Sequence, residues 1–335
     1  MNKLKYIILC LVFFISFKHA SSQDIHFSQF YFSPLYLNPA QTGLINGNYR
    51  VAANYRNQWS SFSPFKTFSG SFDMPLMRSP LRNNFVGVGG YLFNDDQAGI
   101  ITSNAVLLSG SYVQNLGYQG SSLISVGVQG GVVQKRFNMD GLTWGKQIST
   151  EPGNEGLLED LPSGESFSNT EMTYPDFGVG ALYFNRPNQD FDIFGGFSLY
   201  HLLKPKESFS ENNFKNLSRR MVLHAGSSMR YRDAIDVLPS VLYMKQGSQS
   251  QLNVGAALRF NSIIENSGLQ AGLWYRTGDA LIFMTGAQFQ SFTVGFSYDF
   301  NVSPLPAFGS FEVTLIYLSQ FSHPALKTSM PCPRF

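Results

Sequence analysis

The chain has 335 residues, 43% hydrophobic and 15% aromatic, and only 14% charged, against roughly 25% in an ordinary soluble domain. With 24 basic and 22 acidic residues beside 31 Phe, 16 Tyr and 31 Gly, neither disorder by charge repulsion nor a basic nucleic-acid footprint is available. The length admits one large β domain or two ordinary ones.

At the start, Lys3 and Lys5 precede an apolar run from Tyr6 to Phe17, followed by Ala20, Ser21 and Ser22. Residues 1–22 are therefore expected to be a secretory signal peptide, too short and too isolated for a spanning helix. Its removal takes Lys3, Lys5 and Lys18 and turns the formal balance of +2 slightly negative. Cys10 lies inside the run, so only Cys332 remains and no internal disulfide framework is expected. Residues 23–48 fit no strand pattern, yet Phe27, Phe30, Tyr31, Phe32 and Tyr36 crowd into them. Rings left in water would promote aggregation, so this segment is expected to be a luminal plug or a periplasmic collar, held extended by Pro34 and Pro39.

Residues 49–320 alternate with period two. Tyr49, Val51, Ala53, Tyr55, Asn57 and Trp59 oppose Arg50, Ala52, Asn54, Arg56 and Gln58. The same rhythm runs through 252–260 and 292–300, and no run of 18 uncharged apolar residues follows the leader. A small or polar face rich in glycine, aromatic caps and asymmetric loops favour an all-β, antiparallel transmembrane barrel over a soluble sandwich. Strands are predicted near 49–59, 65–74, 85–94, 102–115, 122–136, 173–184, 190–202, 218–231, 235–245, 249–260, 267–276, 279–289, 291–300 and 309–319. That is about 14 strands, followed by a tail at 321–335. With the N-terminus periplasmic, the odd-numbered connections point outward. They include the long ones at 137–172 and 203–217, as outer-membrane barrels require. Placing Arg50, Arg56, Arg220, Arg230, Arg259 and Arg276 in the lumen avoids roughly 2 to 4 kcal/mol each at the bilayer midplane. Pro239 inside 235–245 predicts a bulge or an edge.

Enzyme chemistry is not expected. His26, His201, His224 and His323 are not paired at metal-binding spacing, and G-x-S-x-G, Walker A and H-E-x-x-H patterns are absent. No cofactor is implied. His224 reads as structural or solvated beside Arg220 and Arg230. Asp190 and Asp192 share one face of a strand start, where a solvated pair is the commoner outcome than a cation site. Glu151, Glu155, Glu159, Asp160, Glu165 and Glu171, with no basic residue from 147 to 184, make an acidic outer loop that either solubilises or docks a partner or divalent ion.

Several motifs occur along the chain: Phe27-Ser28-Gln29, Asn38-Pro39-Ala40 with Gly43, Tyr55-Arg56-Asn57-Gln58-Trp59, Phe65-Lys66-Thr67 with Ser71 and Asp73, Asn94-Asp95-Asp96 with Gly99, Gly309-Ser310-Phe311-Glu312 and Cys332-Pro333-Arg334-Phe335. They span the chain end to end, and together they resemble the PorP/SprF family of outer-membrane proteins associated with type IX secretion in gliding and secreting Bacteroidota. Ile25 and Phe311 depart from the family's usual proline and histidine. The resemblance implies a non-enzymatic protein with one of two jobs. One is a partner of a large secreted protein or adhesin, recognising its C-terminal sorting domain for export or surface anchoring, with a link to gliding motility. The other is a subunit of the machine beside its periplasmic ring and peptidoglycan-associated components. Phe27, Gln29, Asn38, Pro39, Arg56, Gln58 and Trp59 are the expected partner-binding residues. A small-solute channel whose luminal arginines select anions is the alternative.

Overall fold

The period-two runs become strands of one closed barrel. The computed structural model describes residues 24–319 except 60–63, 78–83, 117–120, 140–141, 143–146, 150–155, 158–169, 208, 210–215, 233, 265 and 303–308. The expected leader, the tail and its Cys332 motif, and Glu151, Glu155, Glu159, Asp160 and Glu165 of the acidic loop lie outside the described residues.

The wall begins with β1 (Arg50–Gln58), β2 (Phe65–Leu76), β3 (Phe85–Gln97), β4 (Ile101–Asn115) and β5 (Ser122–Phe137). A small separate hairpin, β6 (Ile148–Ser149) and β7 (Gly156–Leu157), interrupts it. The wall resumes with β8 (Glu171–Asn188), β9 (Phe191–Tyr200), β10 (Arg220–Arg232), β11 (Ile235–Gln246) and β12 (Gln249–Asn261). It ends with β13 (Ser267–Arg276), β14 (Ala280–Phe289), β15 (Phe292–Asn301) and β16 (Ser310–Leu318). Each strand pairs antiparallel with its sequence neighbour in the wall, and β1 pairs with β16, so no edge is left. In β4, Ser103, Ala105, Leu107, Ser109, Ser111 and Val113 are buried toward the lumen, while Val106 and Leu108 are 65% and 71% exposed on the outer face. That is the alternation a lipid-facing band needs.

Strand ends follow local backbone geometry. Trp59 and His201 adopt φ of 56°, which stops β1 at Gln58 and β9 at Tyr200; bulky residues rarely take this left-handed conformation within a strand. Asp190 falls in the β8–β9 turn with its side chain largely exposed and 3.8 Å from Arg230, whereas Asp192 is buried inside the wall against Arg186. Only Asp192 thus belongs to the strand. Pro239 corrects a second expectation, because it creates neither an edge nor a register shift. The β10–β11 ladder skips Ser227 and Ser228 and resumes at Met229↔Val237 in the same register, while Pro239 stays paired with Ala256 of β12. The missing amide hydrogen of proline removes ladder bonds on one side only. The register of this ladder shifts further on, between Arg230 and Arg232.

β1 starts at the end of the barrel that carries the two-residue β8–β9 connection, and both long connections, 138–170 and 201–219, lie at the opposite end. By the loop asymmetry of outer-membrane barrels, that opposite end is the outer one. The orientation depends on where β1 starts, and the described chain before β1 begins elsewhere, at the outer mouth.

Candidate functional site

Asp24 is held at the outer mouth by its backbone N–H, which donates to Gln246 Oε1 at 2.9 Å, and by its carboxylate, 2.5 Å from His201 Nε2. The chain then crosses the lumen. Ser28 and Gln29 reach the wall formed by β1, β13, β15 and β16, and Phe30–Phe32 form a 3-10 turn packed with Trp274 and Met284. A short helix, Pro34–Leu37, turns the chain back, with proline in the first helical position where its missing N–H costs nothing. Asn38 caps the next turn, Pro39–Gln41, by accepting from Ala40 N–H at 2.9 Å. Gly43 then donates to Asp73 at 2.7 Å near the inner end, and Asn48 N–H bonds Ser319 O just before β1.

Charged residues of the wall hold this segment at two places. At the first, the Glu312 carboxylate accepts the backbone N–H groups of Ser28 and Gln29 at 2.8 and 3.2 Å. Ser28 Oγ donates to Asp299 at 2.8 Å and accepts from Arg56 and Arg276. Asp299 also accepts directly from both arginines, at 2.9 and 3.0 Å. A buried charge is tolerable only with such partners. The expected luminal arginines are therefore present, but Arg56 and Arg276 are spent on carboxylates and on the segment.

The second place is the mouth. The Arg220 guanidinium carbon lies 4.2 Å from the Tyr36 ring centroid and 4.4 Å from that of Tyr200, and Arg220 also bonds the Tyr36 hydroxyl. A cation between two aromatic faces gains from both quadrupoles. Tyr36 in turn bonds the Ile25 carbonyl, tying the beginning of the segment to its helix. His201 sits between Asp24 and Asp176, its Nδ1 3.0 Å from Asp176. Burial alone would lower the imidazole pKa, but the two carboxylates outweigh it and push it up to about 9. His201 and Arg220 hold the Asp24 carboxyl below the usual carboxylate range against the opposing effect of burial. A partly open cavity lies here, lined by Asp24, Asp176, His201, Arg220 and Lys135 together with rings such as Tyr91 and Tyr174.

Luminal glycines make room for the segment. A Cβ on Gly127 would stand 2.4 Å from the Pro39 carbonyl carbon, one on Gly180 2.0 Å from Asn38 Oδ1, and one on Gly295 2.2 Å from Gln29 Oε1. These glycines serve close approach rather than turns.

The family-matched residues divide into two groups. Phe27, Gln29, Asn38, Pro39 and Arg56 are brought together inside the lumen. Phe27 packs edge-on against Tyr36 at 5.4 Å, Gln29 donates to Glu312 O at 3.0 Å, and Asn38 donates to Ala181 O at 3.0 Å and lies 3.2 Å from His224. Gln58 and Trp59 stand apart at the outer rim, where the Trp59 ring lies 5.2 Å from Phe65. Sequence reasoning missed Asp24, Tyr36, His201 and Asp299 as partners of the segment. The one available signal was charge on inward strand positions, which demands a countercharge without naming it.

Two solved barrels illustrate the architecture. The chain matches the Ralstonia pickettii toluene transporter TbuX with a TM-score of 0.50 at 11% identity, covering 86% of this chain and 93% of that one. It matches the Pseudomonas putida toluene transporter TodX with a TM-score of 0.50 at 9% identity, covering 85% and 93%. At this identity the likeness is one of fold. No curated protein matches the sequence. A family model described as type IX secretion system membrane protein PorP/SprF matches residues 19–317.

Proposed function

This chain belongs to the PorP/SprF family of type IX secretion system membrane proteins, and from that membership we propose that it is a non-enzymatic barrel that binds an exported protein at its outer mouth. The partner is a large secreted protein or adhesin carrying a C-terminal sorting domain, which the barrel helps to export or to anchor at the surface, with gliding motility as one use of such anchoring. Periplasmic ring and peptidoglycan-associated components of the secretion machine are its other expected neighbours. Residues 23–48 act as a luminal stopper rather than a mobile arm.

The observation that carries this reading is the filling of the lumen by residues 27–45, nearly all of them buried. A solute channel needs an open path and free selecting charges, whereas Arg56 and Arg276 are bound to Asp299. What remains accessible is the mouth, where rings and both signs of charge surround one cavity, a combination suited to polypeptide side chains.

The test is to tag the full chain near its C-terminus, extract it from outer membranes in mild detergent and identify co-purifying chains by mass spectrometry. One very large exported protein is expected for an anchor, and ring and peptidoglycan-binding proteins for a machine subunit. Neither, together with stable conductance of the purified protein in planar bilayers, would overturn the proposal in favour of a channel.

A further inference from the structure

The Asn94-Asp95-Asp96 motif closes β3 at the outer mouth, and its three side chains do different things. Asn94 is exposed and donates to Asn104 of β4 at 2.7 Å, while Asp96 accepts the Gly99 N–H at 2.9 Å and shapes the β3–β4 turn. Asp95 is only 4% exposed and lines the cavity at the mouth. Its Oδ1 accepts from the Thr67 hydroxyl at 2.6 Å and its Oδ2 from the Gln97 amide at 2.9 Å. Both donors are neutral, and an ionised carboxylate offers about four acceptor positions.

The cations of the same lining are engaged elsewhere. Lys135 pairs with Glu207, His201 with Asp24 and Asp176, and Arg220 with Asp24. None of them is an ion-pair partner of Asp95 among the described residues. In the register of the wall, Thr67, Asp95, Ser103 and Lys135 stand on one rung. Lys135 is therefore two strand spacings from Asp95, about 10 Å at the backbone. A buried carboxylate short of a countercharge is costly, and a cation entering the cavity would relieve that cost. The free space is about 50 Å³, room for roughly three to five water-sized groups. The rings of Tyr91, Phe93 and Tyr174 line it together with Ser103.

We infer that this cavity seats the primary ammonium of a lysine side chain presented by the exported partner. That a partner supplies the lysine rests on the function proposed above; the seat itself rests on Asp95, the rings and the free space. The ammonium meets Asp95 and Ser103. The last methylenes lie along Tyr91, Phe93 and Tyr174, as lysine stems do on apolar surface. A carboxylate or phosphate would meet Asp95 as a like charge, and an aromatic side chain or a lipid tail exceeds the space.

The experiment places a thiol beside Asp95, as Ser103→Cys in a Cys332→Ser background of the full chain, in outer-membrane vesicles. Its reaction rates are measured with aminoethyl, hydroxyethyl and sulfonatoethyl methanethiosulfonates, each normalised to the rate on a free thiol in solution. The cationic reagent should react fastest and the anionic one slowest. Asp95→Asn should reduce the ratio of cationic to neutral rates roughly tenfold, the effect of one charge at about 6 Å in a medium between protein and water. n-Butylammonium should slow the neutral reagent, n-butanol at the same concentration should not, and Asp95→Asn should abolish the protection. No preference for the cationic reagent, equal effects of butylammonium and butanol, or a thiol that none of the reagents reaches would overturn the proposal. If Asp95→Asn does not assemble, the comparison of butylammonium with butanol in the Ser103→Cys protein still decides it. Protection without a co-purifying exported protein would uphold the seat while the anchor reading fails, and co-purification without protection would do the reverse.

Discussion

Glu312→Ala tests whether the wall holds the luminal segment through one carboxylate. The substitution removes the acceptor of two buried N–H groups, those of Ser28 and Gln29. Each buried N–H left unpaired costs about 1 to 3 kcal/mol, so about 4 kcal/mol is lost from docking. Arg56 retains Asp299 at 2.9 Å, so the larger penalty of stranding a buried cation is not added. The population with residues 27–32 undocked should rise about a thousandfold. Ser33, buried and with its hydroxyl unpartnered, can report it through Ser33→Cys in a Cys332→Ser background, since Cys10 is the only other cysteine. Whole cells are treated with a membrane-impermeant maleimide, and barrel assembly is checked by heat-modifiable gel mobility. Glu312→Gln, which keeps one carbonyl acceptor, should fall between. An assembled Glu312→Ala barrel in which the introduced thiol reacts no faster than in the Ser33→Cys parent would refute the reasoning.

Two further substitutions probe other parts of the same assembly. Gly127→Val should displace residues 38–40, because the Pro39 backbone 2.4 Å from the new Cβ cannot yield as a side chain would. Conductance steps should then appear in planar bilayers, whereas Gly110→Ala, whose Cβ meets nothing nearer than 3.9 Å, should stay silent. The latch at the mouth should be pH-dependent. His201 has a raised pKa in the folded protein, so its contribution is complete below about 6.5 and is lost as pH rises through about 9. The groups facing it are Asp24, Asp176 and, through Asp24, Arg220, and the Asp24 carboxyl, held below the usual range, keeps its charge across that window. Hydrogen exchange of residues 24–29, corrected for intrinsic rates, should accelerate between pH 7 and 9.5 in the native protein and show no such step in His201→Gln; equal profiles would contradict the assignment.

These outcomes separate what local sequence carries from what it does not. The β11 reading, 235–245 from alternation alone, became Ile235–Gln246, because side-chain alternation is a property of neighbouring residues and one lipid-facing surface imposes it on every strand. The inward placement of Arg56, Arg220, Arg276 and His224 was legible for the same reason, as was closure, since an open edge in lipid would strand backbone hydrogen bonds. Trp59 and His201 ended their strands through a backbone conformation that nothing in an alternating pattern announces. Pro239 showed the limit of a residue rule: its missing N–H was certain, but only the closed wall determined that pairing to β12 would carry the strand through in register.

The sequence by itself determined a fourteen-strand wall, its apolar exterior and the presence of an aromatic segment that had to be buried. Only the tertiary structure decided where that segment goes. Its partners lie far along the chain, Glu312 284 residues from Ser28 and His201 177 residues from Asp24, so no window of sequence contains both halves of a contact. Countercharge requires that Arg56 find a carboxylate, but Asp299, Glu312 and Asp73 satisfy that requirement equally on paper. The curvature of the closed barrel, which brings β1, β13, β15 and β16 around Ser28, selects among them.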